Sequence, residues 1–264
     1  MQLRGKNVIV TGGANGIGKA LAEGFARAGA TVCIFDLDGL DKGDPHQVLC
    51  DVSDEANLRQ AIAKARRLIG PIDIYVSNAG VLSDQPDGAA SASNEEWARC
   101  WSVNVMAHVF AARALLPDFT ARGGVHFVIV ASAAGLLNQI GDAAYSATKH
   151  AAVSFAESLA ITHGPDGVGV SVVCPQYVAT GMIGLTEKDA GSSETLLTTQ
   201  EVAQTVLQAV EEDSFMVLPH EEVSEYARSR AKDHDAWIKG MKRLRQRSLT
   251  RFGDARPERF YRLL

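Results

Sequence analysis

Long apolar runs are missing from this sequence. No stretch reaches the roughly 18 consecutive apolar residues that a membrane-spanning helix requires, so no membrane partner is expected. The first residues, Met1-Gln2-Leu3-Arg4-Gly5-Lys6, lead directly into a strand-like segment and lack the pattern of a secretory leader. Cysteine is scarce: Cys33, Cys50, Cys100 and Cys174 include no Cys-x-x-Cys pair. That argues against a disulfide scaffold and predicts buried, reduced thiols in a cytoplasmic protein. The seven histidines form no His-x-x-x-His or Cys/His cluster, so no metal site is expected. Aromatic residues make up only 6% of the chain, against 24 glycines. That balance suits small-residue helices packed on a sheet better than an aromatic β-sandwich.

What is present is the composition of a globular protein, with 46% hydrophobic and 22% charged residues in 264. This length can bury a sizeable core and is read as a single domain over 1–264. The net charge of −5 is uneven, because residues 221–264 hold 12 Lys/Arg and 7 Asp/Glu. A basic tail can mark a nucleic-acid surface. Here Trp237, Met241, Leu244 and Ser248 recur at helical spacing, with Lys239, Lys242, Arg243, Arg245 and Arg247 between them. That pattern favours a packed amphipathic helix in a C-terminal helical extension over 221–264, and no nucleic-acid partner is expected.

Short apolar runs alternate with longer alanine-rich ones. Strands are predicted at 7–11, 31–36, 48–50, 72–77, 126–131, 168–174 and 215–218. Helices are predicted at 17–28, 55–68, 94–115, 143–163 and 200–212. Most of the strands are apolar throughout, which suits a parallel sheet covered on both faces. The alternation indicates βαβ units and a doubly wound α/β fold. Residues 180–199 show no clear periodicity, and the stretch 181–199 is read as a substrate loop.

The first strand runs into Thr11-Gly12-Gly13-Ala14-Asn15-Gly16-Ile17-Gly18. Glycines there let the backbone turn sharply and approach a diphosphate, and the next helix points free N–H groups at the anion. Asp36 closes the second strand, where a carboxylate accepts the hydroxyls of an adenosine ribose and repels a 2′-phosphate. Ala14, Asn15 and Leu37 offer no cation for such a phosphate, so NAD is favoured over NADP. Further along, Tyr145 and Lys149 are four residues apart, on one face of a helix, with Ser132 13 residues upstream of the tyrosine. An ammonium beside a phenol favours its ionised form, and tyrosine otherwise titrates near ~10.

Together these residues resemble the short-chain dehydrogenase/reductase family over about residues 1–220. The resemblance implies a Rossmann fold with a seven-stranded parallel sheet and a cofactor loop from Thr11 to Gly18, including Gly12, Asn15, Gly16, Ile17 and Gly18. Asp51-Val52 resembles the pair that contacts adenine, and Asn78-Ala79-Gly80 the turn after the fourth strand. Ser132, Tyr145 and Lys149 match the catalytic trio, and Asn104 the asparagine that completes a proton relay through a bound water. Pro175 to Thr180, with Val178 between, matches the segment that grips the nicotinamide. The Gly-x-x-Gly-x-x-Gly loop and longer C-terminal domain of extended members are absent, as is the six-residue Tyr–Lys separation of some enoyl reductases.

One departure is Pro175-Gln176, where the family usually has Pro-Gly. Gln176 either narrows the pocket and offers a hydrogen bond, or points to solvent. By analogy the substrate walls come from Ala134, Leu136, Ile140, Tyr177, Met182 and Ile183, with Gln139 and Gln176 as polar handles.

The implied reaction is hydride transfer between NAD and a secondary alcohol or ketone, on a hydrophobic, cyclic or aromatic small molecule. Tyr145 is then the general base, its pKa lowered by Lys149 and the nicotinium charge, and Ser132 bonds the substrate oxygen. The competing readings are a non-catalytic dinucleotide sensor and an NADP-linked ketone or 3-oxoacyl reductase. Family members are usually homodimers or homotetramers, and the helices at 94–115 and 143–163 are the expected interface.

Overall fold

β-Branched, fully apolar segments become the strands of a central parallel sheet. The computed structural model describes all residues except 42, 45, 84–87, 191, 192 and 194, and every described side chain except that of Glu258. Residues 191, 192 and 194 of the expected substrate loop lie outside the described residues. The strands are β1 (Asn7–Thr11), β2 (Thr31–Asp36), β3 (Gln47–Leu49), β4 (Ile74–Ser77), β5 (Val125–Val130), β6 (Val168–Val173) and β9 (Met216–Val217). Their order is β3-β2-β1-β4-β5-β6-β9, every neighbouring pair parallel. A two-stranded pair joins β7 (Tyr177–Val178) to β8 (Leu196–Leu197), the latter inside the stretch expected to be the substrate loop.

Successive strand residues point to opposite faces, and both faces are covered. On one, Ile9, Phe35, Tyr75, Phe127 and Val172 pack against α2 (Glu55–Ile69), α4 (Ala107–Arg122) and α5 (Ala143–His163). On the other, Val8, Val10, Ile74, Val76 and Val128 pack against α1 (Gly16–Arg27) and α6 (Thr199–Glu212). All six residues of β5 are buried. Truncating one of its aromatic side chains, as in Phe127→Ala, would cost about 3–5 kcal/mol.

The helix expected over 94–115 is three pieces. A capped α3 (Asn94–Trp101) runs into a wider π-helical segment (Ser102–Met106) and then α4, which continues through Pro117 to Arg122. Such π segments are often found at functional sites, and this one carries Asn104. Beyond β9, the chain forms α7 (Glu222–Lys232), α8 (His234–Phe252) and a 3₁₀ turn (Pro257–Arg262). On α8, Trp237, Met241 and Leu244 are part-buried and Ser248 is buried, while Lys239, Lys242, Arg243, Arg245 and Arg247 are exposed.

The strand order reverses between β1 and β4. In open α/β sheets the crevice beyond the carboxyl ends of the strands at such a point is where ligands bind.

Candidate active site

The glycine loop sits at that reversal. Gly12 and Gly16 have φ of +62° and +53°, a region that favours glycine. Gly18 is required by proximity, because a Cβ there would lie 2.0 Å from the Gly12 carbonyl oxygen. Gly12 N–H donates to the Phe35 carbonyl at 2.8 Å, tying the loop to β2. The Asp36 carboxylate accepts from the Ala14 N–H at 2.9 Å and from the Leu37 N–H at 2.8 Å. Two contacts leave lone pairs free on a carboxylate. Asn15 caps α1 without a side-chain hydrogen bond, and the first turn of α1 holds no acidic residue. The positive end of the helix is therefore open to an anion.

The Asn78-Ala79-Gly80 turn is anchored from β1. Thr11 Oγ1 accepts the Asn78 and Ala79 N–H groups at 2.9 and 3.1 Å, and Asn78 Nδ2 donates back to the Thr11 carbonyl at 2.9 Å. Asn104, fully buried in the π segment, clasps the next residue: Oδ1 accepts from Val81 N–H and Nδ2 donates to Val81 O, both at 2.9 Å. Its Nδ2 also donates to Thr148 Oγ1 at 3.1 Å. The side chain that the resemblance placed in a water relay thus holds the loop above the lysine.

Tyr145 and Lys149 share a face of α5, with the Lys149 ammonium 5.4 Å from the centre of the tyrosine ring. Asp142 starts this helix by accepting the Tyr145 N–H at 2.9 Å, and also takes the Ser83 N–H and hydroxyl at 2.8 and 2.6 Å. Lys149 Nζ donates to the Val130 carbonyl at 3.0 Å. Burial pulls Lys149 down from 10.5 to about 8. Burial also pushes the Tyr145 phenol up to about 12, although a hydrogen bond with Ser132 opposes the rise. In the free protein the loss of water around the hydroxyl therefore dominates. Ser132 follows β5, and its Oγ accepts from the Ala134 N–H at 3.1 Å.

One cleft of about 360 Å³ brings most of the expected residues together. It is lined by Gly12, Asn15, Gly16, Ile17, Asn78, Ala79 and Gly80 on one side, and by Ser132, Tyr145, Lys149, Pro175, Val178 and Thr180 on the other. Gln139, Gln176, Tyr177, Met182 and Ile183 also line it. Nine expected residues do not: Asn104 is in the π segment, Leu136 packs against Ala133 and Leu137, and seven others lie elsewhere. Gly18 is packed beneath the loop, Asp36 and Leu37 are at the tip of β2, and Asp51-Val52 follow β3. Ala134 lines the neighbouring cavity, together with Ile140.

The residues that sequence reasoning missed act through others. Thr11, read only as the first residue of the cofactor loop, anchors the Asn78 turn, and Asp142, a capping aspartate three residues before Tyr145, is a readable signal. His220 had none. It accepts the Gln176 N–H at Nδ1, 3.1 Å, and its Nε2 lies 3.0 Å from the Tyr177 carbonyl, so the two bonds fix the neutral Nε2–H form. Burial holds its pKa below the ordinary value.

The chain is similar to several known proteins. The family model for short chain dehydrogenases matches residues 6–191. A 1-deoxy-11-beta-hydroxypentalenate dehydrogenase of Streptomyces exfoliatus is 34% identical over 90% of each chain. The solved structure of a short chain dehydrogenase/reductase from Burkholderia phymatum in complex with NAD superposes with a TM-score of 0.78 at 26% identity, covering 89% of this chain and 96% of that one. A 3-ketoacyl-(acyl-carrier-protein) reductase from Brucella melitensis complexed with NADH gives a TM-score of 0.74 at 28% identity, over 83% and 98%.

Proposed function

The chain belongs to the short-chain dehydrogenase/reductase family, and on that premise we propose that it is an NAD-dependent enzyme interconverting a secondary alcohol and a ketone. The observation that carries the reading is the meeting of Ser132, Tyr145 and Lys149 with the glycine loop in one cleft. The nicotinamide dinucleotide supplies the hydride acceptor and donor when bound. The glycine cradle and the open N-terminus of α1 fit its diphosphate. Asp36 favours a free ribose diol over a 2′-phosphate.

The chain's own residues handle the proton. Tyr145, protonated in the free protein, is the acid that gives its proton to a ketone oxygen in reduction, and its phenolate is the base in oxidation. Ser132 Oγ accepts from Ala134 N–H and donates a long, 3.5 Å hydrogen bond to the Pro175 carbonyl, a proton it can turn to the substrate oxygen where charge develops. Lys149 would set its positive charge beside the phenol and would bond the nicotinamide ribose of a bound cofactor. The largely apolar walls suit a hydrophobic, cyclic or aromatic substrate. Assembly as a homodimer or homotetramer through α4 and α5 belongs to the same reading, with Ile161 of α5 77% exposed. The test is Tyr145→Phe, expected to lower turnover by at least about 10²-fold with NADH binding retained in a fluorescence titration. Substantial residual turnover would sink the acid–base role.

A further inference from the structure

Beside the catalytic cleft lies a second cavity, of about 410 Å³, walled by the 133–140 loop, α7, α8 and the C-terminal segment. Leu137, Tyr226, Trp237, Met241, Leu244 and Phe260 give it an apolar lining. It falls in the size range that holds a drug-sized ligand. A small alcohol reacting at Tyr145 needs none of this space.

Three residues line both volumes: Gln139, Gln176 and Tyr177. The Gln139 amide is partnered, its Nε2 donating to the Ile140 carbonyl at 3.1 Å. Gln176 differs. Its Oε1 is buried and has no hydrogen-bond partner among the described residues. His220 fixes the Gln176 backbone, and the residue lines both volumes. An amide oxygen only accepts, and a buried acceptor left alone is costly. A ligand that relieves the cost must bring a donor.

We propose that the substrate occupies both volumes and is read by Gln176. The reacting carbon lies in the cleft by Tyr145, a bulky apolar body fills the second cavity, and a second hydroxyl or N–H group on that body donates to Gln176 Oε1. The substrate class is therefore a large apolar alcohol carrying a second hydrogen-bond donor, which goes beyond the dehydrogenase reading but rests on it for the reacting end.

Gly240 of α8 gives a clean probe, because it lines the second cavity and a Cβ there meets only Arg243 Nη2, at 3.9 Å. Gly240→Leu adds bulk at the cavity from a Cβ position that has room, and a helix gains stability when it loses an interior glycine. The first readout needs no turnover. N-phenyl-naphthylamine, a neutral dye with one N–H donor whose emission rises in apolar surroundings, is titrated into the full-length protein. One dye should bind per chain, with affinity lowered at least tenfold by Gly240→Leu and several-fold by Gln176→Leu. The second readout is NAD turnover of a decalin diol against a decalin monool. Gln176→Leu should lower the diol-to-monool ratio of kcat/KM by about tenfold.

Dye affinity unchanged in both variants, at unchanged melting temperature, overturns the proposal. So does a diol-to-monool ratio that does not move. Dye binding that responds to both variants while neither alcohol turns over would uphold the cavity and its donor contact, and would count instead against the dehydrogenase reading.

Discussion

Lys149→Met should make the protein more stable at neutral pH while it removes activity. Lys149 is 3% exposed, and burial lowers its pKa from 10.5 to about 8. At ~1.36 kcal/mol per pH unit of depression, keeping the ammonium charged in the fold costs roughly 3 kcal/mol. Methionine keeps most of the apolar stem and removes the charge. It also orphans the Val130 carbonyl, which accepts the Lys149 hydrogen bond, at a cost of about 1 kcal/mol. The net gain is roughly 2 kcal/mol, or several °C in Tm for a domain of this size.

The sign of the pH dependence follows from proton counts. Below pH 8 the lysine is charged in both states, and the full penalty is present. Between about 8 and 10.5 the unfolded chain keeps the proton that the folded protein has released, so the wild type gains stability as pH rises. Above that range the penalty is gone. Urea denaturation of both proteins, at neutral pH and near the top of this window, reads the difference directly. The variant's advantage should be present at neutral pH and shrink as pH rises. A variant no more stable at neutral pH, or an advantage independent of pH, would refute the reasoning.

Other perturbations probe other parts of the site. Asp36→Ala removes the carboxylate at the tip of β2 and should lower the NAD-to-NADP ratio of kcat/KM at least tenfold; an unmoved ratio would discard the ribose contact. Gly18→Ala forces a Cβ to within 2.0 Å of the Gly12 carbonyl. It should weaken NADH binding in a fluorescence titration and destabilise the fold by about 1–3 kcal/mol, and wild-type binding would contradict the cradle. The difference in tyrosinate absorbance between wild type and Tyr145→Phe should appear only well above the ordinary ~10, towards about 12. Ionisation of Tyr145 near neutrality in the free protein would show that burial does not dominate there.

Much of the architecture is written locally. The bounds of β1, β2 and α5 coincide with those read from apolar runs and punctuation, because each segment carries its own period, with Gly12 directly after β1 and Gly164-Pro165 directly after α5. The break at Ser102–Met106 is not legible in that way. A π segment adds one residue to a turn, and apolar spacing over 94–115 does not register it. Nor does Pro117 end α4, since packing against the sheet outweighs one lost backbone hydrogen bond. The cleft is legible where a motif holds all its members, as from Thr11 to Gly18 or from Tyr145 to Lys149. It is not legible where distant segments meet, as with His220 under Gln176. The protonation of Tyr145 belongs with the second kind, because desolvation depends on everything packed around the hydroxyl.

The central claim is that this cleft moves hydride between NAD and a secondary alcohol. Initial rates of NADH formation on the purified protein, with NAD and then with NADP, across cyclic, aryl and polycyclic secondary alcohols, test it most directly. The account predicts turnover with NAD on bulky apolar members of the panel and little with NADP. NADH binding without turnover of any alcohol, or turnover that prefers NADP, would contradict it.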